Sequence, residues 1–423
     1  MSGPLARLSA AVEARTPAHR DRALDGLRAL ALLAVPTGHW LLGGLTRDGG
    51  GALHNASPLT AFGGLAPVSW ILQMLGIFFL VGGYASVLSY RRHRGPAGAW
   101  LKGRLARLGQ PVLGVTAVWA TLLPVLYAAG VPGTTLRTAS TLVIQPLWFV
   151  GVYAVVTALT PYCVRAARRL GGWAAAPLLG AVAVVDFLRY GPYTDAMPSW
   201  LSVLNVLPGW LFAYQLGVSW GEKRIGRRGG WLLAVGGAAL FAVLLVVFHY
   251  PASMVGVPGE ARTNSHPPSL LVLALAAAQS GAAVLLRERI AKLLRRPALW
   301  APVVVVNLSA MTILCWHQTA MLAAAVPSRL RAGSRLSAGW SVAGRAVPRA
   351  PEDAAARQSP GRPGGAHSGA RGTARATQHG PQTDRGSGAR PRVRPSPTPA
   401  SRPRRSRSCG RGRRACPGVL PCA

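Results

Sequence analysis

The sequence predicts an all-α protein that crosses a membrane many times, and three observations lead to this prediction. Of the 423 residues, 50% are hydrophobic and only 14% are charged, whereas a soluble domain carries about 25% charged residues. The hydrophobic residues recur in runs near the ~20 residues that a helix needs to cross the hydrocarbon core. These runs lack the period-two alternation that marks strands. We therefore expect one bundle of membrane helices rather than several soluble domains.

Nine segments are predicted to cross the membrane. They are residues 24–45, 67–90, 108–129, 141–164, 173–190, 199–220, 230–250, 269–286 and 298–326. The membrane domain is accordingly assigned to residues 23–326, after a flexible basic N-terminus at residues 1–22. Residues 327–423 are rich in Arg, Pro and Gly. They are predicted to form a disordered tail, because such a composition cannot bury a core.

The basic residues predict the orientation of the bundle. Arg and Lys collect in the N-terminal segment and in every even-numbered connection between the spans, whereas the odd-numbered connections hold few. Because positive residues are retained on the cytoplasmic side, the N-terminus is predicted to be cytoplasmic and the protein to lie in the cell membrane. Topology and the tail thus account for the net charge of +35, and no nucleic-acid partner is expected.

The tail conflicts with this topology. After nine crossings it would lie outside the cell, yet it contains many arginines and no lysine. Two interpretations stay open. The segment is either a genuine basic tail or the product of a reading frame shifted after Val326, which would truncate the membrane domain.

Candidate chemistry begins in the first span. It contains Arg28 and, eleven positions later, His39. On a helix the two side chains lie about three turns apart, roughly 16 Å, on nearly the same face. An ionisable residue inside a membrane segment is costly and is therefore a functional candidate. The alternative is a buried histidine bonded to a neighbouring helix. The five cysteines show no metal-ligand spacing, and no metal site is predicted.

The run Leu24-Asp25-Gly26-Leu27-Arg28-Ala29-Leu30, followed by His39, resembles the first helix of acyltransferase family 3. Members of this family are bacterial membrane enzymes, typically with ten helices, that transfer acyl groups, usually from acyl-CoA. The resemblance implies catalytic roles for His39 and Arg28, and it places Asp25 near the same pocket.

The second span extends the resemblance. Its segment Phe78-Phe79-Leu80-Val81-Gly82-Gly83-Tyr84 is similar to the second-helix signature of the family. Gly82 stands where a serine is expected, so the role of that hydroxyl does not carry over. The segment is a candidate for the pocket wall. Its alternative role is helix packing, because glycines let neighbouring backbones approach closely.

Arg104 and Arg107 precede the third span and resemble the paired arginines of the family. Guanidinium groups suit phosphate, so the resemblance implies that they bind the phosphates of CoA. The alternative is that they are ordinary topology determinants. Trp148 resembles part of a fourth-helix motif, and His317 resembles the histidine of a late Leu-Trp-His motif. Both are pocket candidates, with interface anchoring and packing as the respective alternatives.

Together these features predict a membrane-embedded O-acyltransferase. His39 would remove the proton of an acceptor hydroxyl or take part in an acyl relay, because the pKa of histidine lies near working pH. The resemblance implies acyl-CoA, most often acetyl-CoA, as the donor and a carbohydrate or other hydroxyl compound as the acceptor. No permanently bound cofactor is expected. The alternatives are a transporter or flippase without chemistry and an inactive truncated product.

Overall fold

Fourteen α-helices and one short hairpin make up the computed structural model, which describes residues 3–47, 53–192, 197–257 and 262–325. The helices are α1 (Pro4–Ala14), α2 (Arg22–Leu42), α3 (Ala66–Leu72), α4 (Leu75–Arg92), α5 (Ala97–Ala128), α6 (Gly133–Ile144), α7 (Leu147–Ala158), α8 (Thr160–Leu170), α9 (Ala176–Tyr190), α10 (Val206–Gly221), α11 (Arg227–Val246), α12 (Leu270–Leu293), α13 (Pro297–Leu308) and α14 (Ala310–Ala325). After α2, the antiparallel strands β1 (Gly44–Arg47) and β2 (Leu53–Ala56) form the hairpin.

Seven helical stretches of the described chain are long and apolar enough to cross a membrane, and the bent pair α13–α14 makes an eighth. The seven are Gly63–Arg92, Ala97–Ala128, Gly133–Ala158, Thr160–Tyr190, Ser199–Gly221, Arg227–Val246 and Leu270–Leu293. The remaining predicted segment is the first, residues 24–45, which corresponds to α2. This helix is 21 residues long but carries charged side chains and His39. The predicted fold class is thereby confirmed: the chain is an all-α, multi-pass membrane protein.

Several predicted spans contain a break between helices, and two of these breaks have a local cause in the sequence. The last predicted span divides into α13 and α14, whose axes bend by 74° at Ser309. Just before the bend, the Asn307 side chain donates to the Val303 carbonyl at 2.9 Å, a local bond that competes with the helical pattern. The fourth predicted span, 141–164, is also wrong in its limits. Pro161 lies in the first turn of α8, where proline is favoured, so a new helix starts there.

The N-terminal segment contains a helix where the sequence predicts flexibility. Pro4 occupies the first turn of α1, a favourable position for proline. The segment is then tied to the bundle at two points. The indole of Trp300 donates to the Thr16 hydroxyl at 2.8 Å, and Arg22 pairs with Glu13 at 2.6 Å. These contacts explain why residues 4–14 are ordered although their composition is polar and basic.

The centre of the bundle is the contact between α4 and α10. A Cβ atom on Gly83 would lie 2.1 Å from the Tyr214 carbonyl oxygen, and one on Gly217 would lie 1.9 Å from the Leu80 carbonyl oxygen. The two backbones therefore touch, as small residues permit in membrane helices. Phe79 of α4 also stacks on Trp210 of α10, with ring centroids 5.3 Å apart. Helices α2, α7, α8, α9 and α12 pack against this pair.

Ion pairs collect where α2 begins and where α4, α10 and α12 end. Arg287 pairs with Asp21 at 2.7 Å and also lies over the Trp220 ring. Glu222, whose side chain is 3% exposed, pairs with Arg91 at 2.9 Å and Arg168 at 3.4 Å. We call this end of the bundle the basic end. It corresponds to the side that the sequence predicts to be cytoplasmic.

Candidate active site

Helix α2 carries the two principal candidates. Its first turn is capped by Asp21, whose carboxylate accepts from the Leu24 amide at 3.2 Å. Pro36 lies inside the helix and has no amide hydrogen, so the helical ladder is open one turn before His39. Arg28 and His39 are both half-buried. The helix thus holds a guanidinium and an imidazole along one stripe, with the imidazole in the half farther from the basic end.

His39 of α2 and His317 of α14 face each other. Their ring centroids are 5.2 Å apart, and the ring planes are tilted by 40°. The indole of Trp40 donates to the His317 carbonyl oxygen at 3.1 Å, which joins the two helices at the same level. Two residues that are far apart in the sequence therefore form one imidazole pair. That they line one pocket remains a prediction.

The two rings differ in how they are held. His317 is 4% exposed, and its Nδ1 lies 3.2 Å from the Ile313 carbonyl oxygen and 3.0 Å from that of Leu314. Nδ1 must therefore carry the hydrogen, which leaves the lone pair on Nε2. That nitrogen is buried and has no hydrogen-bond partner among the residues that the structure describes. By contrast, no residue in the described part of the chain hydrogen-bonds the ring of His39.

Arg28 and Asp25 have different surroundings. No described residue pairs with the half-buried guanidinium of Arg28, which leaves its fork available to a ligand. The Asp25 carboxylate accepts two hydrogen bonds from Arg20, at 2.5 and 2.9 Å. This bond raises the pKa of the Arg20 guanidinium. Asp25 therefore belongs to the basic end and is not open to the pocket for which the sequence made it a candidate.

Arg104 and Arg107 share a helix but not an environment. Arg104 is half-buried and donates from Nη1 to the Ser86 hydroxyl at 3.1 Å. Ser86 in turn bonds the buried Tyr214 hydroxyl, which lies 2.6 Å from that of Thr160. Arg107 is exposed, and no described side chain binds it. Only Arg104 therefore reaches into the bundle.

The space beside Gly82 is filled by Tyr153 of α7. A Cβ atom on Gly82 would lie 2.7 Å from the Tyr153 ring and 2.8 Å from its hydroxyl. A serine would not fit there without a shift of that ring. Tyr153 instead supplies a hydroxyl close to where that of a serine would lie. Next in the motif, Tyr84 packs edge-on against Trp220, 4.9 Å away, at the basic end.

Trp148 contacts another ring, and only Trp148 of the two was a pocket candidate from the sequence. Its ring meets the His266 ring edge-on, with centroids 4.7 Å apart. His266 precedes α12 in a loop without periodicity, so only its residue type could have signalled a role. Trp148 and His266 thus form one aromatic contact.

The loop that carries His266 is held by a buried carboxylate. Asp186 of α9 pairs with Arg262 at 3.5 Å. Arg262 approaches from the loop, with its guanidinium 3.5 Å from the Tyr250 ring centroid. Asp186 also accepts hydrogen bonds from Asn205, Tyr250 and the Leu270 amide.

Two cavities lie away from the imidazole pair. A groove of about 1250 Å³ runs between α1 and α13. A cavity of about 420 Å³ at the basic end is lined in part by Arg20, Arg22, Arg287 and Arg295. Within the described ranges, no group of three His, Cys, Asp or Glu side chains is placed to hold a metal ion.

The fold and the site define a multi-pass membrane protein with paired imidazoles between its helices. Comparison with protein families adds the identity. Residues 21–335 match the acyltransferase family 3 model, whose description is "acyltransferase domain". This match covers well over half of the chain, so the chain belongs to that family and is a membrane acyltransferase. Searches of curated proteins and of solved structures find no match.

Proposed function

We propose that the protein transfers an acyl group, most simply acetyl, from acyl-CoA to a hydroxyl of a carbohydrate or another surface or secondary-metabolite acceptor. The observation that carries this proposal is the arrangement on α2. Arg28, which has no described partner, and His39 lie on one stripe, and the His39 ring meets that of His317 at 5.2 Å. Acyl transfer from a CoA thioester to a hydroxyl is helped by a positively charged group that binds acyl-CoA and by a base that takes the proton of the hydroxyl.

The donor is proposed to enter from the basic end. CoA carries phosphates, and guanidinium forks bind phosphate or carbonyl oxygens with two parallel hydrogen bonds. Arg28 lies closer to this end than His39 does, so it would hold the donor while the thioester points toward the imidazoles. Arg104, which donates to Ser86, would guide the phosphates from α5, and exposed Arg107 would act as an outer guide.

The acceptor is proposed to reach the imidazole pair from the opposite end. The wall there is formed by Trp148 and His266. In the transfer, the acceptor oxygen attacks the thioester carbon as an imidazole takes its proton. The carbon–sulfur bond breaks, and CoA leaves as the thiol once it is protonated. An ester of the acceptor is the second product.

The buried carboxylates do not favour the transporter alternative. A midplane histidine also suits proton coupling, but a proton relay in a transporter is commonly a chain of Asp, Glu and His side chains. Of the acidic residues that the structure describes, Asp186 and Glu222 are buried, and both are held by arginines. A chain of free carboxylates across the described helices is not present.

The experiment that tests the proposal is acyl transfer in membrane vesicles. Vesicles containing the unaltered protein should move label from acetyl-labelled CoA to a glycan or lipid fraction. His39→Ala should abolish this transfer while the protein stays inserted and abundant. His93→Ala, a change at an exposed histidine between α4 and α5, is the matched control and should transfer at the unaltered rate. No transfer by the unaltered protein would reject the function, and an active His39→Ala protein would reject the site.

A further inference from the structure

His317 is oriented as a residue that binds a ligand would be. Its Nδ1–H is bound to two carbonyl oxygens of its own helix, so the orientation of the ring and the position of the lone pair are set. The remaining nitrogen, Nε2, is buried, and no side chain or backbone group in the described ranges bonds to it. Leaving a buried polar atom unpaired costs about 1–3 kcal/mol. A histidine that served only packing would be expected to have both nitrogens bonded.

His39 lacks this arrangement. Nothing in the described chain fixes which of its ring nitrogens carries the hydrogen. It also shares a helix stripe with Arg28, and so lies on the path along which the donor would extend. The two imidazole ring centroids are 5.2 Å apart, but only one of the rings is held by hydrogen bonds. The lone pair of His317 has a fixed direction, whereas no hydrogen bond from the described chain fixes the ring of His39.

We propose that His317, and not His39, is the base that takes the proton of the acceptor hydroxyl. This inference rests on the proposed acyl transfer and assigns a different chemical role to each of the two imidazole rings. The hydroxyl donates to His317 Nε2. As the proton moves to that nitrogen, the oxygen forms a bond to the thioester carbon. His39 donates a hydrogen bond to the carbonyl oxygen as negative charge develops on it.

The step then closes without another reactant. The carbon–sulfur bond breaks, and the electron pair leaves with sulfur. The imidazolium of His317 returns its proton to that thiolate, directly or through water. The ring ends in its starting state, with hydrogen on Nδ1 and a free Nε2. This division follows the general rule that an efficient base is oriented by a third group, here the carbonyl oxygens of Ile313 and Leu314.

The test compares two acceptors that differ in their need for a base. Label transfer from acetyl-labelled CoA is measured to the vesicles' own hydroxyl acceptor and to added hydroxylamine, whose neutral nitrogen attacks thioesters without prior deprotonation. His317→Gln should lower transfer to the hydroxyl acceptor by about 10²–10⁴-fold. Transfer to hydroxylamine should stay within a few-fold, and the KM for acetyl-CoA should not change. His39→Gln should lose both reactions.

Controls separate this role from a structural one. His93→Gln is the matched exposed substitution and should leave both reactions unchanged. His317→Asn, a second neutral variant, should repeat the pattern of His317→Gln. Full activity of either variant, or equal losses with both acceptors in a protein of normal abundance, would overturn the assignment. Failure of both variants to accumulate would assign His317 to folding and overturn it as well. No transfer by the unaltered protein would reject the underlying function.

Discussion

Arg28 shows what a single side chain can reveal in a membrane helix. It is half-buried, and no described residue pairs with it, although nearby Arg20, Arg22 and Arg287 all have acidic partners. A buried, unpaired charge is costly, so its position is explained best by a ligand that supplies the missing oxygen atoms. We assign that ligand to the donor.

The prediction at this scale is that Arg28→Lys loses most activity although the charge is kept. A fork that binds two oxygens is replaced by a point charge on a flexible chain. We expect the affinity for acyl-CoA to fall by about tenfold or more, equivalent to the loss of one charge-assisted hydrogen bond of about 1.5–3 kcal/mol. Arg92→Lys, at an exposed position in the last turn of α4, is the control. Unchanged donor affinity and rate in Arg28→Lys would make Arg28 a topology residue.

At the scale of elements, the loop between α11 and α12 is tied to α9 by one buried carboxylate. Asp186, on α9, binds Arg262 and the first amide of α12, and Tyr250 donates to the same carboxylate. The loop then presents His266 to Trp148. Asp186 on α9 thus helps to position His266, which forms part of the wall of the candidate site from the loop before α12.

Asp186→Asn should therefore destabilise the protein strongly. The substitution leaves Arg262, whose side chain is only 16% exposed, without its counter-charge. Removing one partner of a buried pair typically costs about 3–5 kcal/mol. Asp21→Asn is the contrasting variant, because Asp21 and Arg287 are partly exposed, with side-chain exposures of 26% and 42%, and asparagine keeps the helix cap. Its cost should be within about 1 kcal/mol. Unfolding in mild detergent measures both, and equal losses would contradict the structural role of Asp186.

The helices also show which features of the fold could not be predicted from the sequence. Apolar runs locate every span, because hydrophobic length depends on composition alone. They do not locate the break at Ser309, which depends on Asn307 bonding to its own helix and to the Asp25 carbonyl. The same limit holds for the site. Arg28 and His39 are visible through their spacing on one helix, whereas the contact of His39 with His317 depends on packing between distant helices.

The orientation in the membrane is the prediction that belongs to the whole molecule. The basic end should face the cytoplasm, because positive residues are retained there. In a chain whose Cys409, Cys416 and Cys422 are replaced by serine, a cysteine is placed at Ala252 or at His93, which lie in opposite loops. A membrane-impermeant thiol reagent should label Ala252→Cys in intact cells and His93→Cys only after permeabilisation.

Native residues supply the control for this labelling. Cys163 and Cys315 are free and buried, so the parent chain should remain unlabelled in either condition. The reverse pattern, with His93→Cys labelled in intact cells, would place the basic end outside and remove the proposed entry of acyl-CoA from the cytoplasm.

The uneven burial of the helices has a consequence for motion. In its most apolar stretch, α5 is only 11% buried, against 61% for the stretch that contains α4. Single hydrogen bonds from Trp100 to Ser89, Arg104 to Ser86 and Trp119 to Thr319 help to hold it, each worth about 1 kcal/mol. The α4–α10 pair cannot separate without parting two backbones in contact. We therefore expect α5 to separate from the bundle at a lower cost in free energy than α4, and hydrogen exchange should be faster in α5 than in α4.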